Sequence, residues 1–330
     1  MGGGSAEFTS AEGGGACRPH QERPRTQRLQ INWRSRGALL LSFLLLSGCG
    51  DALRLEVVFD DCPNDVEKIY PGECGCGIAE DRCVPLKDAL VHRYAFNGRG
   101  PVAVDDVGGA DGAILNTELS GLGQLYLDRS AELEQYVELP NGIVSALDSA
   151  TFETWVTWET PPAEPRPFWE RIFDFGVSTL GEEQRESGKS YLFLAPGQPG
   201  TTPKLPRTAF RDLNTDGEVI IDALDATPSN AVFNMAVVVD AQAQELILFM
   251  NGVEQGRTPL TEPLSAIEDV NNWLGRSQFA VDTRFGGSFH EFRIYDRALS
   301  QLQLIESVSL GPSPAFLEPK STLQEASGAP

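Results

Sequence analysis

Histidine is scarce in this chain, with three among 330 residues, at His20, His92 and His290. All six cysteines fall at or before position 83. A nucleophile and its base must lie within hydrogen-bond reach of each other, so a Ser/His/Asp or Cys/His set finds almost no material in the C-terminal three quarters. Basic residues are also few: 26 Lys and Arg face 47 Asp and Glu, a net charge of −21. The first 48 residues hold six Arg and three Glu, which leaves −24 on the rest. That balance excludes nucleic acid and anionic headgroups as partners of the folded part. Long apolar runs are limited to one, GALLLSFLLLSG over 37–48, too short for a stable bilayer span. Helical periodicity appears once, over 299–307. No E-x-D-x-E run occurs, so the paired carboxylates that a retaining glycosidase needs have no obvious source.

What is present begins with export. The apolar run follows Arg34 and Arg36, the layout of a secretory signal, and ends Leu46-Ser47-Gly48-Cys49. This resembles a bacterial lipobox, which implies a diacylglycerol on Cys49, a mature chain starting there, and membrane attachment through acyl chains alone. Residues 1–48 are therefore expected to be a signal region and 49–61 a tether, with Gly50 after the Cys leaning towards the outer membrane or cell surface. Cys62, Cys74, Cys76 and Cys83 crowd into residues 62–88, which reads as a short stalk held by two disulfides in place of a core. Cys74 and Cys76 flank a single glycine and are poorly placed to bond each other. Cys62 is expected to pair with one and Cys83 with the other. A zinc site is the alternative use of these thiols.

From Leu90 the texture changes to short strands with turn signals between them. TFETWVTWE alternates, with Phe152, Thr154, Val156 and Trp158 on one face and Glu153, Trp155, Thr157 and Glu159 on the other. FNMAVVVD-AQAQ-ELILFMNGVEQG is a hairpin followed by an Asn251-Gly252 turn into a further strand. In SFHEFRIYD, alternation puts Phe289, Glu291, Arg293 and Tyr295 on one side and His290, Phe292 and Ile294 on the other, with Asp296 or Ser300 available to cap the final helix. The pattern predicts an all-β, antiparallel sandwich over 89–310. The Pro-, Ser-, Gly- and Ala-rich residues 311–330 predict a disordered tail.

The segments YVELP, FETWVTW, RIFDFG, AVVVD…LILFMNG, NNWLGRS and GGSFHEFRIYDRALS occur in the order seen in laminin-G-like domains, and the chain resembles that concanavalin A-like lectin/glucanase family. The resemblance implies a two-sheet jelly-roll sandwich. It also implies one Ca²⁺ at the rim. Asp105-Asp106-Val107-Gly108-Gly109 matches the early ligand loop, so Asp105, Asp106 and Glu291 are the candidate ligands. His290 stands where an Asp is common in the family. Sugar contact would use aromatics, chosen from Trp155, Trp158, Trp169, Trp273 and Tyr191. Trp158 and Trp273 are expected in the core, and Trp169, beside the Pro-rich 160–167 loop, is the expected ligand-binding residue. The function expected from all this is a non-catalytic envelope module for a glycan or an extracellular protein. The alternatives are a divergent glycoside hydrolase, with Glu170 and Asp174 as its only acid pair, and a structural spacer.

Overall fold

The computed structural model describes residues 84–161, 169–214 and 217–312, plus two short strands, Ser5–Ala6 and Leu29–Gln30, which pair antiparallel. Chain contacts divide the protein into two units, Met1–Cys83 and Val84–Pro330. The lipobox Cys49 and the four clustered cysteines, Cys62, Cys74, Cys76 and Cys83, lie outside the described residues, as does most of the tail.

The second unit is built from thirteen main strands: β1 Leu90–Tyr94, β2 Gly112–Leu115, β3 Tyr136–Leu139, β4 Ala150–Trp158, β5 Phe173–Ser178, β6 Gly188–Ala195, β7 Arg207–Arg211, β8 Val219–Asp222, β9 Val232–Asp240, β10 Glu245–Met250, β11 Val253–Pro259, β12 Asn271–Leu274 and β13 Gly287–Tyr295. The first sheet runs β11-β10-β9-β4-β13-β1, with Leu125–Leu127 also paired to β13. The second runs β8-β7-β6-β5-β12-β3-β2 and ends on Val102–Ala103. Every ladder in these sheets is antiparallel.

The sheets share one apolar core. β4 sends in Phe152, Val156 and Trp158, β5 Phe173 and Phe175, β6 Leu192 and Leu194, and β13 Phe289, Phe292 and Ile294. Each such side chain contributes about 1.5–3 kcal/mol by leaving water, and two sheets closing over a common interior is the arrangement of a jelly-roll sandwich. Phe289 corrects the simple alternation of β13. The register slips between Trp155 and Val156, which face Glu291 and Phe289 respectively. This β-bulge inserts one extra residue into β13, so Phe289 turns inward beside Phe292 instead of outward beside Glu291.

The outer face of the first sheet is also covered. Helix α1, Leu86–Ala89, and helix α2, Gln301–Leu310, bury Phe249, Tyr295 and Leu304 in a second small core. Residues 84–88, which the sequence assigned to the stalk, belong to this packing through Val84 and Leu86. Ser300 caps α2 in a reciprocal capping box with Gln303, satisfying N–H groups that no helical carbonyl reaches. The β10–β11 turn places Asn251 and Gly252 at φ of 50° and 75°, the conformation for which Asn-Gly is selected.

Candidate functional site

The rim where calcium was expected is organised otherwise. Asp105 is buried, and its carboxylate collects five N–H donors. Oδ1 accepts from the backbone of Arg93, Val107 and Gly108 at 2.9, 3.1 and 3.0 Å, and Oδ2 from Ala110 N at 2.9 Å and His92 Nδ1 at 2.8 Å. Burial pushes this carboxyl up, but those hydrogen bonds outweigh it and hold Asp105 well below the usual carboxylate range. The loop depends on glycine for its close approach, since a Cβ on Gly108 would sit 2.4 Å from Val91 O. Arg93, also buried, joins the first loop to the last strand. Its Nη1 donates to Asp106 at 2.8 Å, and its Nε and Nη2 donate to Glu291 at 2.9 and 2.7 Å.

The structure thus brings Asp105, Asp106 and Glu291 into one neighbourhood but commits their oxygens to protein donors. Ca²⁺ takes six to eight oxygens. Here the oxygens of Asp105 are saturated by N–H groups, and a guanidinium stands between Asp106 and Glu291. This donor set does not fit the ion. Among the described residues, no group of three or more His, Cys, Asp or Glu side chains is placed to hold a metal.

The same sheet face continues inward as a buried ionic row. The register sets Glu153 opposite Arg293 and Arg293 opposite Arg93. Arg293 pairs with Glu291 and Glu153, lies 4.4 Å from the Trp155 ring, and donates to Ser307 of α2 at 2.9 Å. Trp155 is therefore an architectural residue, buried on a face that alternation alone would leave to solvent.

The second sheet presents a different outer face. On β6, Leu192 and Leu194 point to the core, while Tyr191, Phe193 and Ala195 form a separate aromatic floor with Ala209 of β7. Trp169 and Phe279 pack on that floor from opposite loops. Together they wall a cleft of about 360 Å³, whose remaining lining is Arg171, Arg207, Glu218, Val281 and Asp282. Trp169, the residue expected to touch ligand, lies in this lining, whereas Trp158 and Trp273 are buried. Tyr191 is buried in the floor and donates its hydroxyl to Glu218.

Arg171 forms the base of the cleft. Its guanidinium lies 3.9 Å from the centre of the Phe193 ring and 5.7 Å from that of Trp169, a favourable cation–π contact when desolvated. Nε reaches Asp174 at 3.3 Å and Nη2 reaches Asp282 at 3.0 Å. Among the described residues, Arg171 Nη1 and Asp174 Oδ1 are buried with no hydrogen-bond partner. Burial pushes the Asp174 carboxyl up to about 7, against the opposing pull of Arg171 and the Gln278 N–H. Asp282 is raised for the same reason. Arg207, on the rim, stacks 5.0 Å from the Trp169 ring while its Nε and Nη2 hold Asp222.

Glu170 and Asp174, the only acid pair weighed for catalysis, serve separate structural partners. Glu170 accepts from Trp158 Nε1 at 2.8 Å and from Arg129, and Asp174 belongs to Arg171, Ser277 and Gln278. Sequence reasoning missed Arg171, Phe193, Arg207, Glu218, Phe279 and Asp282. One signal was available: YLFLA on β6 is apolar at every position, which marks a strand with something to cover on both faces.

A family model described as the concanavalin A-like lectin/glucanases superfamily, of the laminin-G type, matches residues 131–304. The chain belongs to that superfamily. Its solved neighbours include domain 4 of AbnA, a GH43 extracellular arabinanase from Geobacillus stearothermophilus, in complex with arabinotriose (18% identity, TM-score 0.46, 66% of this chain and 97% of that one). A second is the CBM40 of the Ruminococcus gnavus IT-sialidase (18% identity, TM-score 0.40, 52% and 95%). A third is the binding domain of botulinum neurotoxin serotype D (13% identity, TM-score 0.50, 68% of this chain and 52% of that one). The last likeness carries the fold alone. No curated protein sequence matches the chain.

Proposed function

We propose that this protein is a non-catalytic glycan-binding module, exported and held at the bacterial envelope by acyl chains on Cys49, with residues 62–83 as its stalk. The observation that carries the reading is the cleft on β6 and β7. It is walled by Trp169, Phe193 and Phe279 and edged by charged donors and acceptors, on a fold of the lectin/glucanase superfamily. Apolar ring faces cover the C–H faces of a pyranose, and a few fixed polar groups choose among its hydroxyls. The site binds and does not cut, because the carboxyl groups near it are held by arginine or tyrosine and the pair at Glu170 and Asp174 is divided between different partners. The export and anchoring parts rest on the sequence of residues 34–49.

The test is retention of the purified chain on immobilised polysaccharides and bacterial envelope fractions, compared with Trp169→Ala. Retention that falls at least tenfold in the variant supports the reading. A chain that binds no glycan, or one that binds equally well without Trp169, overturns it. Labelling with a palmitate analogue that survives Cys49→Ala would overturn the anchor.

A further inference from the structure

We propose that the cleft recognises the carboxylate of an acidic sugar, and that the Arg171 guanidinium is the group that meets it. This deepens the glycan-binding reading and rests on it.

Three observations converge. First, Arg171 is 2% exposed and lines the cleft. Two of its nitrogens are tied to Asp174 and Asp282, while Nη1 has no partner among the described residues. Arg185, Arg211 and Arg276 each also bury one unpartnered nitrogen, but of these four arginines Arg171 is the one that lines the cleft. A buried donor without an acceptor is costly, and there a ligand oxygen can supply one. Second, the group is preorganised. Phe193 lies 3.9 Å beneath it, Trp169 flanks it, and the pair with Asp282 fixes its plane. Little side-chain freedom remains to be lost on binding. Third, Arg207 approaches the same Trp169 ring at 5.0 Å. Two guanidinium groups therefore border one small cleft in a chain where acids outnumber bases 47 to 26. The planar N–H fork of arginine matches the two oxygens of a carboxylate better than it matches a lone hydroxyl.

Among the described residues, three acids face Arg171, and burial reduces the charge on Asp174. Burial holds Asp174 near 7, so its proton is partly retained at neutral pH, and Asp282 is raised as well. Glu218, the other acid in the lining, accepts the Tyr191 hydroxyl.

The experiment is calorimetric titration of the full chain with two matched pairs: trigalacturonate and its methyl ester, and sialyllactose and lactose. The acidic member of at least one pair is expected to bind at least about tenfold more tightly than its neutral partner. Arg171→Gln is expected to erase that preference. Because Arg171 is buried and this variant risks misfolding, Arg207→Gln on the rim is titrated alongside, with an expected several-fold loss of preference in a chain that keeps its melting temperature. Equal affinity within both pairs overturns this inference and leaves the glycan-binding reading standing. An acidic preference that survives both substitutions overturns the assignment to Arg171. Failure of all four probes on a chain that retains other glycans also overturns it, whereas failure with every glycan overturns the glycan-binding reading itself.

Discussion

The two sheets each carry buried charge on their outer faces, and they treat it in opposite ways. On β1 and β13, Arg93 has a partner for Nε, Nη1 and Nη2, and both oxygens of Asp105 and of Glu291 are engaged. On β5 and the cleft beside it, Arg171 Nη1 and Asp174 Oδ1 find no partner among the described residues. The acid–base chemistry follows suit, for Asp105 is held below the usual carboxylate range and Asp174 is pushed above it. A closed network of charges locks a loop to a strand and has nothing left to offer a ligand. An open one beside an aromatic-walled cleft does.

Breaking the closed network is expected to have the largest effect. Arg93→Met leaves Asp106 and Glu291 facing each other's charge, and it should cost about 3 kcal/mol in urea unfolding. That is the low end for a broken buried pair, because Glu291 retains Arg293. Arg257→Ala removes two ion pairs from a half-exposed side chain and should change stability by less than about 1 kcal/mol. Similar costs for the two would show that the Arg93 network is not the staple it resembles.

The open network shows itself in pH dependence. Asp174 has a folded pKa of about 7 against a reference of 3.8. The folded chain therefore binds more protons than the unfolded chain between those values, and stability falls as pH rises through that window, then levels off. The slope from one group is at most about 1.4 kcal/mol per pH unit. Asp105 acts in reverse: its contribution is present at neutral pH and is lost as pH falls below the ordinary carboxylate range. Urea titrations at several pH values should show the decline between pH 4 and 7 shallower in Asp174→Asn than in the parent. Parallel curves would mean that Asp174 titrates normally.

Trp169→Ala should act on binding and hardly on folding. Loss of one stacking face is worth about 1.4 kcal/mol, or tenfold in affinity, from a residue only partly buried at the edge of the floor. A melting temperature that drops with affinity would make Trp169 a core residue.

How far these regions were legible depends on the range of the signal. Strand alternation in FETWVTW, the Asn251-Gly252 turn and the Ser300 cap are local, and each is read from a few neighbouring residues. The inward turn of Phe289 is not local, for the bulge shows only once β13 is laid against β4. The cleft is less local still. Trp169 was found because a Pro-rich loop sits beside it. Arg171 reads in sequence as one residue of a core strand, and only the return of the loop after β12 brings Phe279 and Asp282 over it. The rim misled for a related reason. The sequence places carboxylates in the right neighbourhood, but whether they face a metal or an arginine is decided by Arg93, on a strand where an arginine carries no such label.

Calcium gives the smallest expected effect and the sharpest contrast. A site saturated a hundredfold above its Kd would add about 2.7 kcal/mol to stability, several degrees in melting temperature for a domain of this size. The rim has no free oxygen set to offer, since five N–H donors surround Asp105 and a guanidinium joins Asp106 to Glu291. Melting in millimolar Ca²⁺ and in chelator should therefore coincide within a degree. In Arg93→Met, where the guanidinium is gone, Asp106 is released and Glu291 keeps only Arg293, added Ca²⁺ should raise the melting temperature. A calcium-dependent shift in the parent chain would return the rim to the metal that the early Asp-rich loop first implied.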